Sequence, residues 1–340
     1  MSRPCFRPQV LVVAFLLAHP ACSKDEQPPP EPGPCSPMLG DKDGQLPNLD
    51  ESSRKWSVSS PRLDSQQLLA DQVSLALAGP EGRLQGTPSH AAAIQFLLGR
   101  FSAIGLDPVG SGYAQPFITG EGGEGVNLVA KLDGTDTDLR CILVGAHYDG
   151  IGCGANTSDC NAADDDASGV AATLAIATYL KSHPAHHCIV FALFDKEEEG
   201  MVGSRSFADT APDELQPLGE HFAFVLIADM LSRSSREALY GATRSDWLAV
   251  LFAATQPETP VTLILNPGSS ADAGDTNLVD DSDSQPFAAI GIPSLLLTSG
   301  YRLFVHGRWD SLQCIDPVFF VATAEAGLAV LLRGDREPGH

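Results

Sequence analysis

Three nearly unbroken apolar runs, CILVGA at 141–146, CIVFALF at 188–194 and FAFVLIA at 222–228, each stop at polar residues. His147 and Asp149 follow the first, Asp195 and then Glu197, Glu198 and Glu199 the second, and Asp229 the third. A strand with one solvated face alternates apolar and polar residues; these do not, so each is a strand covered on both faces. Helical patterns at about 63–79, 89–104, 167–182, 245–255 and 317–333 fall between them and the further strand-like stretches VNLVAKL, VTLIL and PSLLLT. Strands in alternation with helices predict an α/β fold, a three-layer αβα sandwich around a mixed, mainly parallel sheet. Ligands of such open sheets bind beyond the carboxyl ends of the strands, where the acids of this chain collect.

Carboxylates gathered on one edge raise one another's pKa unless a cation sits among them. A solvated acidic loop is the alternative at any single position, but several strand ends in step favour a bound metal. Histidines with carboxylates and no thiolate nearby suit zinc better than calcium or magnesium, which prefer oxygen alone. His147 and Asp149 stand two apart and share a face in extended chain, so Asp149 can hold the imidazole in orientation. The stretch ADDDASGV at 163–170 precedes a helix with Val170, Leu174, Ala177 and Leu180 at core-facing spacing. One aspartate satisfies the helix cap, which leaves another of the three for a metal, and a carboxylate between two cations would neutralise both. In FDKEEEGMVGSRSF the side chains of adjacent glutamates diverge, so that one can ligate while its neighbour acts as general base.

The chain has 340 residues, 43 of them acidic against 21 basic, for a formal net charge of -22. That balance disfavours nucleic acid and draws in cations and amine-bearing ligands. Residues 1–22, with Arg3 and Arg7 ahead of an apolar core from Val10 to Ala18 and small residues before Cys22, read as an export signal. Cys22 leaves two outcomes open, lipid attachment at the cell envelope or ordinary cleavage and secretion. Residues 23–60 are Pro-rich and lack apolar periodicity, as a spacer does, and 61–340 make up the catalytic body. Six cysteines remain beyond the signal, an even number that suits an oxidising compartment. Cys153 and Cys160 are close enough to staple their own loop; the pairing among Cys35, Cys141, Cys188 and Cys314 is not deducible. The acidic stretch ADAGDTNLVDDSDS reads as a solvated loop more readily than as a calcium site.

Taken together, HYD, ADDDASGV, EEEGMVGS, ADM and HGRWDS occur in the order and approximate spacing of the exported bacterial di-zinc aminopeptidases, the leucine aminopeptidase and aminopeptidase Y-like zinc exopeptidases, and the chain resembles that family over roughly 63–335. The resemblance implies two zinc ions per chain. His147 and Asp229 would hold one, Glu198 and His306 the other, with Asp165 bridging both. Glu197 would be the general base to a metal-bound water, Asp149 the acid that orients His147, and Glu199 a bystander. It also implies a cis peptide between Asp165 and Asp166, and hydrolysis of N-terminal residues from peptides with a free amino end. Two positions depart from the pattern or fit it loosely. Ser284 stands where the family often has histidine, which bears on a contact around the metals or with substrate, and Tyr301 is the one nearby tyrosine for the oxyanion, with a wall residue as the alternative.

Three rivals share the scaffold. A glutaminyl cyclase would work with one zinc, against which the complete EEEGMVGS and DDDASGV motifs speak. Carboxypeptidases and dipeptidases usually carry an inserted domain, for which 147–306 leaves little room. A non-catalytic binding relative would have lost ligands that are all present.

Overall fold

The computed structural model describes residues 56–118, 123–152, 161–233, 238–266, 278–300, 306 and 310–337. The export signal, Cys22, the spacer up to residue 55, Cys153, Cys160 and Tyr301 lie outside the described residues. Helices α1 (Ser65–Ala76) and α2 (Pro88–Ile104) lead into strands β1 (Asp107–Pro108), β2 (Ala114–Ile118), β3 (Glu124–Leu132) and β4 (Cys141–His147). Then come α3 (Ala167–Ser182), β5 (Ile189–Phe194), α4 (Val202–Thr210), α5 (Leu218–His221), β6 (Phe222–Ala228) and β7 (Ala238–Ala242). The chain continues through α6 (Asp246–Ala254), β8 (Thr262–Asn266), α7 (Ser284–Ala289), β9 (Ser294–Thr298) and α8 (Pro317–Gly334).

Among the described residues the strands form one sheet in the order β1-β3-β5-β4-β6-β9-β7-β8, with β2 paired to β3. The middle four, β5, β4, β6 and β9, run parallel, whereas β3 is antiparallel to β5 and β7 to β9. The sheet is therefore mixed with a parallel centre, and β4, β5 and β6 are buried along their whole length. Strand parity divides the core: Ile142, Val144 and Ala146 face α1, α2, α3, α6 and α8, while Cys141 and Leu143 face α4, α5 and α7. Each fully buried Leu or Phe in these layers contributes roughly 1.5–3 kcal/mol.

Local signals set the helix ends. Asp64 accepts from the N–H groups of Gln66 and Gln67 ahead of α1, Thr87 caps α2 with Pro88 at its first position, and Asp316 caps α8 in front of Pro317. The helix α3 carries Gly169 where it meets β6: a Cβ there would lie 2.2 Å from the Ala228 carbonyl oxygen. Trp56, in the stretch read as spacer, packs edge-on against Phe319 of α8 at 5.2 Å. A disulfide joins Cys141 to Cys188 at the amino ends of β4 and β5, and Cys314 is also disulfide-bonded.

Candidate metal centre

All four parallel strands point their carboxyl ends at one rim, which is what brings residues from distant parts of the chain together. His147 is the last residue of β4, Glu197 and Glu198 follow β5, Asp229 follows β6, and His306 follows β9. Asp165 arrives from the turn before α3. Its Oδ1 lies 3.0 Å from His147 Nε2 and its Oδ2 3.2 Å from His306 Nε2, so one carboxylate faces both imidazoles. Glu198 Oε2 is 3.0 Å from His306 Nε2, and Asp229 Oδ1 is 3.9 Å from His147 Nε2. Asp149 stands behind His147, its Oδ1 3.4 Å from Nδ1.

Two donors bound at about 2.0–2.1 Å to one tetrahedral zinc lie about 3.3 Å apart. The separations around His147 and His306 scatter about that value. Nε2 of His147 and Oδ1 of Asp229, 3.9 Å apart, are buried without a hydrogen-bond partner, although carboxylates surround them. Buried polar atoms left open toward a common point are what a cation site requires and what a purely structural cluster avoids. The donor set is imidazole and carboxylate without thiolate, and it forms two groups: Asp165, Glu198 and His306 in one, His147, Asp229 and Asp166 in the other. The residues present thus fit zinc.

The three consecutive aspartates divide their work. Asp166 is the helix cap, with Oδ1 accepting from the N–H groups of Gly169 and Met230 and Oδ2 left toward the His147 group. Asp164 turns the other way and accepts from the Ser232 N–H and hydroxyl at 2.7 and 2.9 Å. Asp165 alone is free to face both histidines. The peptide between Asp165 and Asp166 is cis.

The glutamates divide as well. Glu198 joins the His306 group; Glu197 belongs to neither donor group; and Glu199 is half exposed and paired with Lys196 Nζ at 3.0 Å. Asp149 fixes the first two from below, accepting from the Glu197 and Glu198 N–H groups at 3.0 and 3.3 Å.

Electrostatics follow from this crowding. Burial pushes Glu197 up to about 10, with Asp283, Asp229 and Asp165 adding to the rise against His147. Burial likewise raises Asp229 to about 7. Asp165 is buried too, but His147 and His306 outweigh that and hold it well below the carboxylate range. For His147 burial works against the charged form, and the adjacent carboxylates of Asp149 and Asp165 overcome it. So many acids ionise together at neutral pH only with added positive charge, which a bound dication supplies.

Several neighbours were not legible in the sequence. Asp310, from HGRWDS, accepts from the Asp164 and Asp165 N–H groups at 2.7 and 3.2 Å and so holds the aspartate turn. Ser282 donates its hydroxyl to Asp229 Oδ2 at 2.9 Å, while Asp283 and Ser284 beside it are buried, so this end of the acidic stretch is packed against the site, not solvated. Asp195, one of the strand-end acids, does not join the donors. Its carboxylate turns to His90 Nε2 at 2.9 Å and to the Val126 N–H, tying α2 and β3 to β5. The cleft over the Glu198 and His306 pair is lined by Gly82, Ile151, Gly152 and Ala162.

A donor set of this kind on the carboxyl rim of an αβα sandwich is suited to metal-dependent chemistry, and the comparisons with known proteins supply the family. The chain belongs to peptidase family M28, whose sequence profile matches residues 127–331. It is 30% identical over 186 residues to the probable lipoprotein aminopeptidase LpqL of Mycobacterium tuberculosis, across 51% of this chain and 34% of that protein. It is 32% identical over 112 residues to a probable zinc metalloprotease of Pyrenophora tritici-repentis, across 32% of this chain and 25% of that one. The matches thus span about a third or less of these relatives' own lengths. In fold, the chain is similar to a leucine aminopeptidase precursor of Bacteroides thetaiotaomicron, with TM-score 0.64, 20% identity and coverage of 81% of this chain and 99% of that one. It is equally similar in fold to a glutaminyl cyclase of the same organism bound to N-acetylhistamine, with TM-score 0.63, 18% identity and coverage of 80% and 98%.

Proposed function

We propose that this chain is an exported di-zinc aminopeptidase that removes N-terminal residues from peptides. The observation that carries this is Asp165, whose two oxygens face His147 and His306 at 3.0 and 3.2 Å. In this reading His147 and Asp229 would hold one zinc, Glu198 and His306 the other, and Asp165 would be shared by both. When bound, the ions supply Lewis acidity, polarising the peptide carbonyl and making water acidic near neutral pH.

The chain's own residues do the rest. Glu197, outside both donor groups, takes the proton from the attacking water and returns it to the departing amine nitrogen as the C–N bond breaks. Asp149 keeps His147 in the tautomer that presents Nε2 and fixes the backbone of both glutamates. The acidic rim draws in the substrate's ammonium group. Export is supported by the Cys141–Cys188 disulfide, which belongs to an oxidising compartment. It is supported too by the likeness to a protein described as a lipoprotein. Residues 1–22 would be the signal, with Cys22 either lipidated or removed, and 23–60 the spacer.

The test pairs Glu197→Gln with Glu198→Gln, reading zinc per chain and turnover of free and N-acetylated aminoacyl anilides. The parent should bind two zincs and cleave only the free forms. Glu197→Gln should keep both ions and lose roughly 10²–10⁴ in rate, whereas Glu198→Gln should lose zinc. Normal turnover by Glu197→Gln would remove its role. One zinc with cyclisation of N-terminal Gln would replace the peptidase by a cyclase.

A further inference from the structure

Arg83 lies far from every motif, in EGRLQG, and yet its side chain is among the most buried in the molecule at 1% exposure. Its guanidinium forms no hydrogen bond to a carboxylate among the described residues; it donates to four carbonyls instead. Nε reaches Tyr148 O at 2.8 Å, Nη1 reaches Asn161 O at 3.0 Å and Leu75 O at 3.4 Å, and Nη2 reaches Ala162 O at 2.9 Å. Tyr148 lies between His147 and Asp149, and Asn161 and Ala162 lead into the Asp164–Asp166 turn. The two segments that Arg83 joins therefore carry His147 and Asp165. The backbone of Arg83 is left-handed, with φ 60°, and the Gly82 carbonyl packs so closely on Gly150 that a Cβ there would lie 2.5 Å away.

An always-charged guanidinium held wholly out of water, with no anion bonded to it, costs several kcal/mol and persists only where the surrounding field repays it. Burial disfavours its charge, and the carboxylates of Asp310, Asp166, Asp149 and Asp165 offset part of that cost. A planar fork with several fixed donors spans two chain segments as no single ammonium can.

We propose that Arg83 is a positioning residue of the metal centre: its guanidinium clamps the 148–149 segment to the 161–162 segment and thereby sets the distance between His147 and Asp165. This rests on the di-zinc reading above. Charge and geometry make opposite forecasts. Were Arg83 only a buried positive charge, removing it would make the rim more negative and zinc would bind more tightly. As a clamp, its loss lets the two donors drift apart and zinc binds more weakly.

The experiment measures zinc affinity by chelator competition, with zinc alone, on the full-length parent, Arg83→Met, Arg83→Lys and Arg62→Met, each first shown by circular dichroism to be folded without metal. Arg62 pairs with Glu325 at 3.0 Å, and its variant controls for the loss of a partly buried arginine that leaves the donors alone. Both Arg83 variants should bind zinc about 10–100-fold more weakly than the parent, Lys less severely than Met, while Arg62→Met loses stability and keeps its affinity. If both Arg83 variants bind zinc as tightly as the parent or tighter, the clamp is overturned with the di-zinc reading intact. If neither folds, Arg83 is a requirement of the fold and the clamp is likewise overturned. A parent that binds no zinc overturns both.

Discussion

Replacing Asp149 by asparagine removes one negative charge and almost no volume. The carboxylate accepts from two backbone donors, the Glu197 and Glu198 N–H groups at 3.0 and 3.3 Å, and stands 3.4 Å from His147 Nδ1. An amide has one acceptor oxygen, and each oxygen of Asp149 accepts from a backbone N–H, so either orientation of the amide leaves one buried N–H unpaired, at about 1–3 kcal/mol. With its NH₂ in the Oδ1 position it also gives Nδ1 a proton to accept, which moves the ring proton to Nε2, the nitrogen that faces Asp165 and Asp229. Either way the loss falls on zinc affinity, by about 10–100-fold, equivalent to roughly 1.4–2.8 kcal/mol. Chelator competition at neutral pH measures it, with urea unfolding of the metal-free protein run in parallel to separate stability from binding. If Asp149→Asn binds zinc as the parent does, Asp149 neither orients His147 nor fixes the glutamates that follow β5.

Two further outcomes can be checked with the same assays. Gly169→Ala puts a methyl 2.2 Å from the Ala228 carbonyl oxygen and 2.5 Å from Asp166 Oδ2, so α3 must shift at its amino end. The expected cost is about 1–3 kcal/mol in urea unfolding with a drop in zinc affinity, and a neutral result would mean that the packing of α3 on β6 is loose. Replacing Cys141 and Cys188 together by alanine opens a cross-link between residues 47 apart. That variant should lose about 2–4 kcal/mol of stability and keep its zinc, since six strand residues at ~3.3 Å each separate Cys141 from the rim; lost zinc would show that the amino ends of the strands control the site.

What could be read from the sequence was whatever a run of residues declares by itself. Continuous apolar stretches gave β4, β5 and β6, and helical apolar spacing gave α3 at Ala167–Ser182 and α8 at Pro317–Gly334. The resemblance supplied the donors, and His147, Asp165, Glu198, Asp229 and His306 do converge on one rim. Strands β1, β2 and β7 escaped notice because they are short and lack a continuous apolar run, and α4 and α7 because six to nine residues carry too few turns to show a period. Asp195 was grouped with the converging acids because its position looked equivalent, yet its carboxylate belongs to His90 and Val126. Arg83, Asp310 and Ser282 act through bonds to backbone or to a carboxylate far away in the chain, and no local pattern marks such partners.

The arrangement of donors also has a consequence for the order of events after synthesis. His147 ends β4 and His306 follows β9, with β6 between the two strands, and Asp165 is aimed at both only once α3 has settled on the sheet. A partly folded chain therefore offers loose acids but no cage, and selective metal capture waits for β9 to dock. A protein that crosses a membrane unfolded would in that case take its metals from the compartment where it arrives, not from the one where it is made.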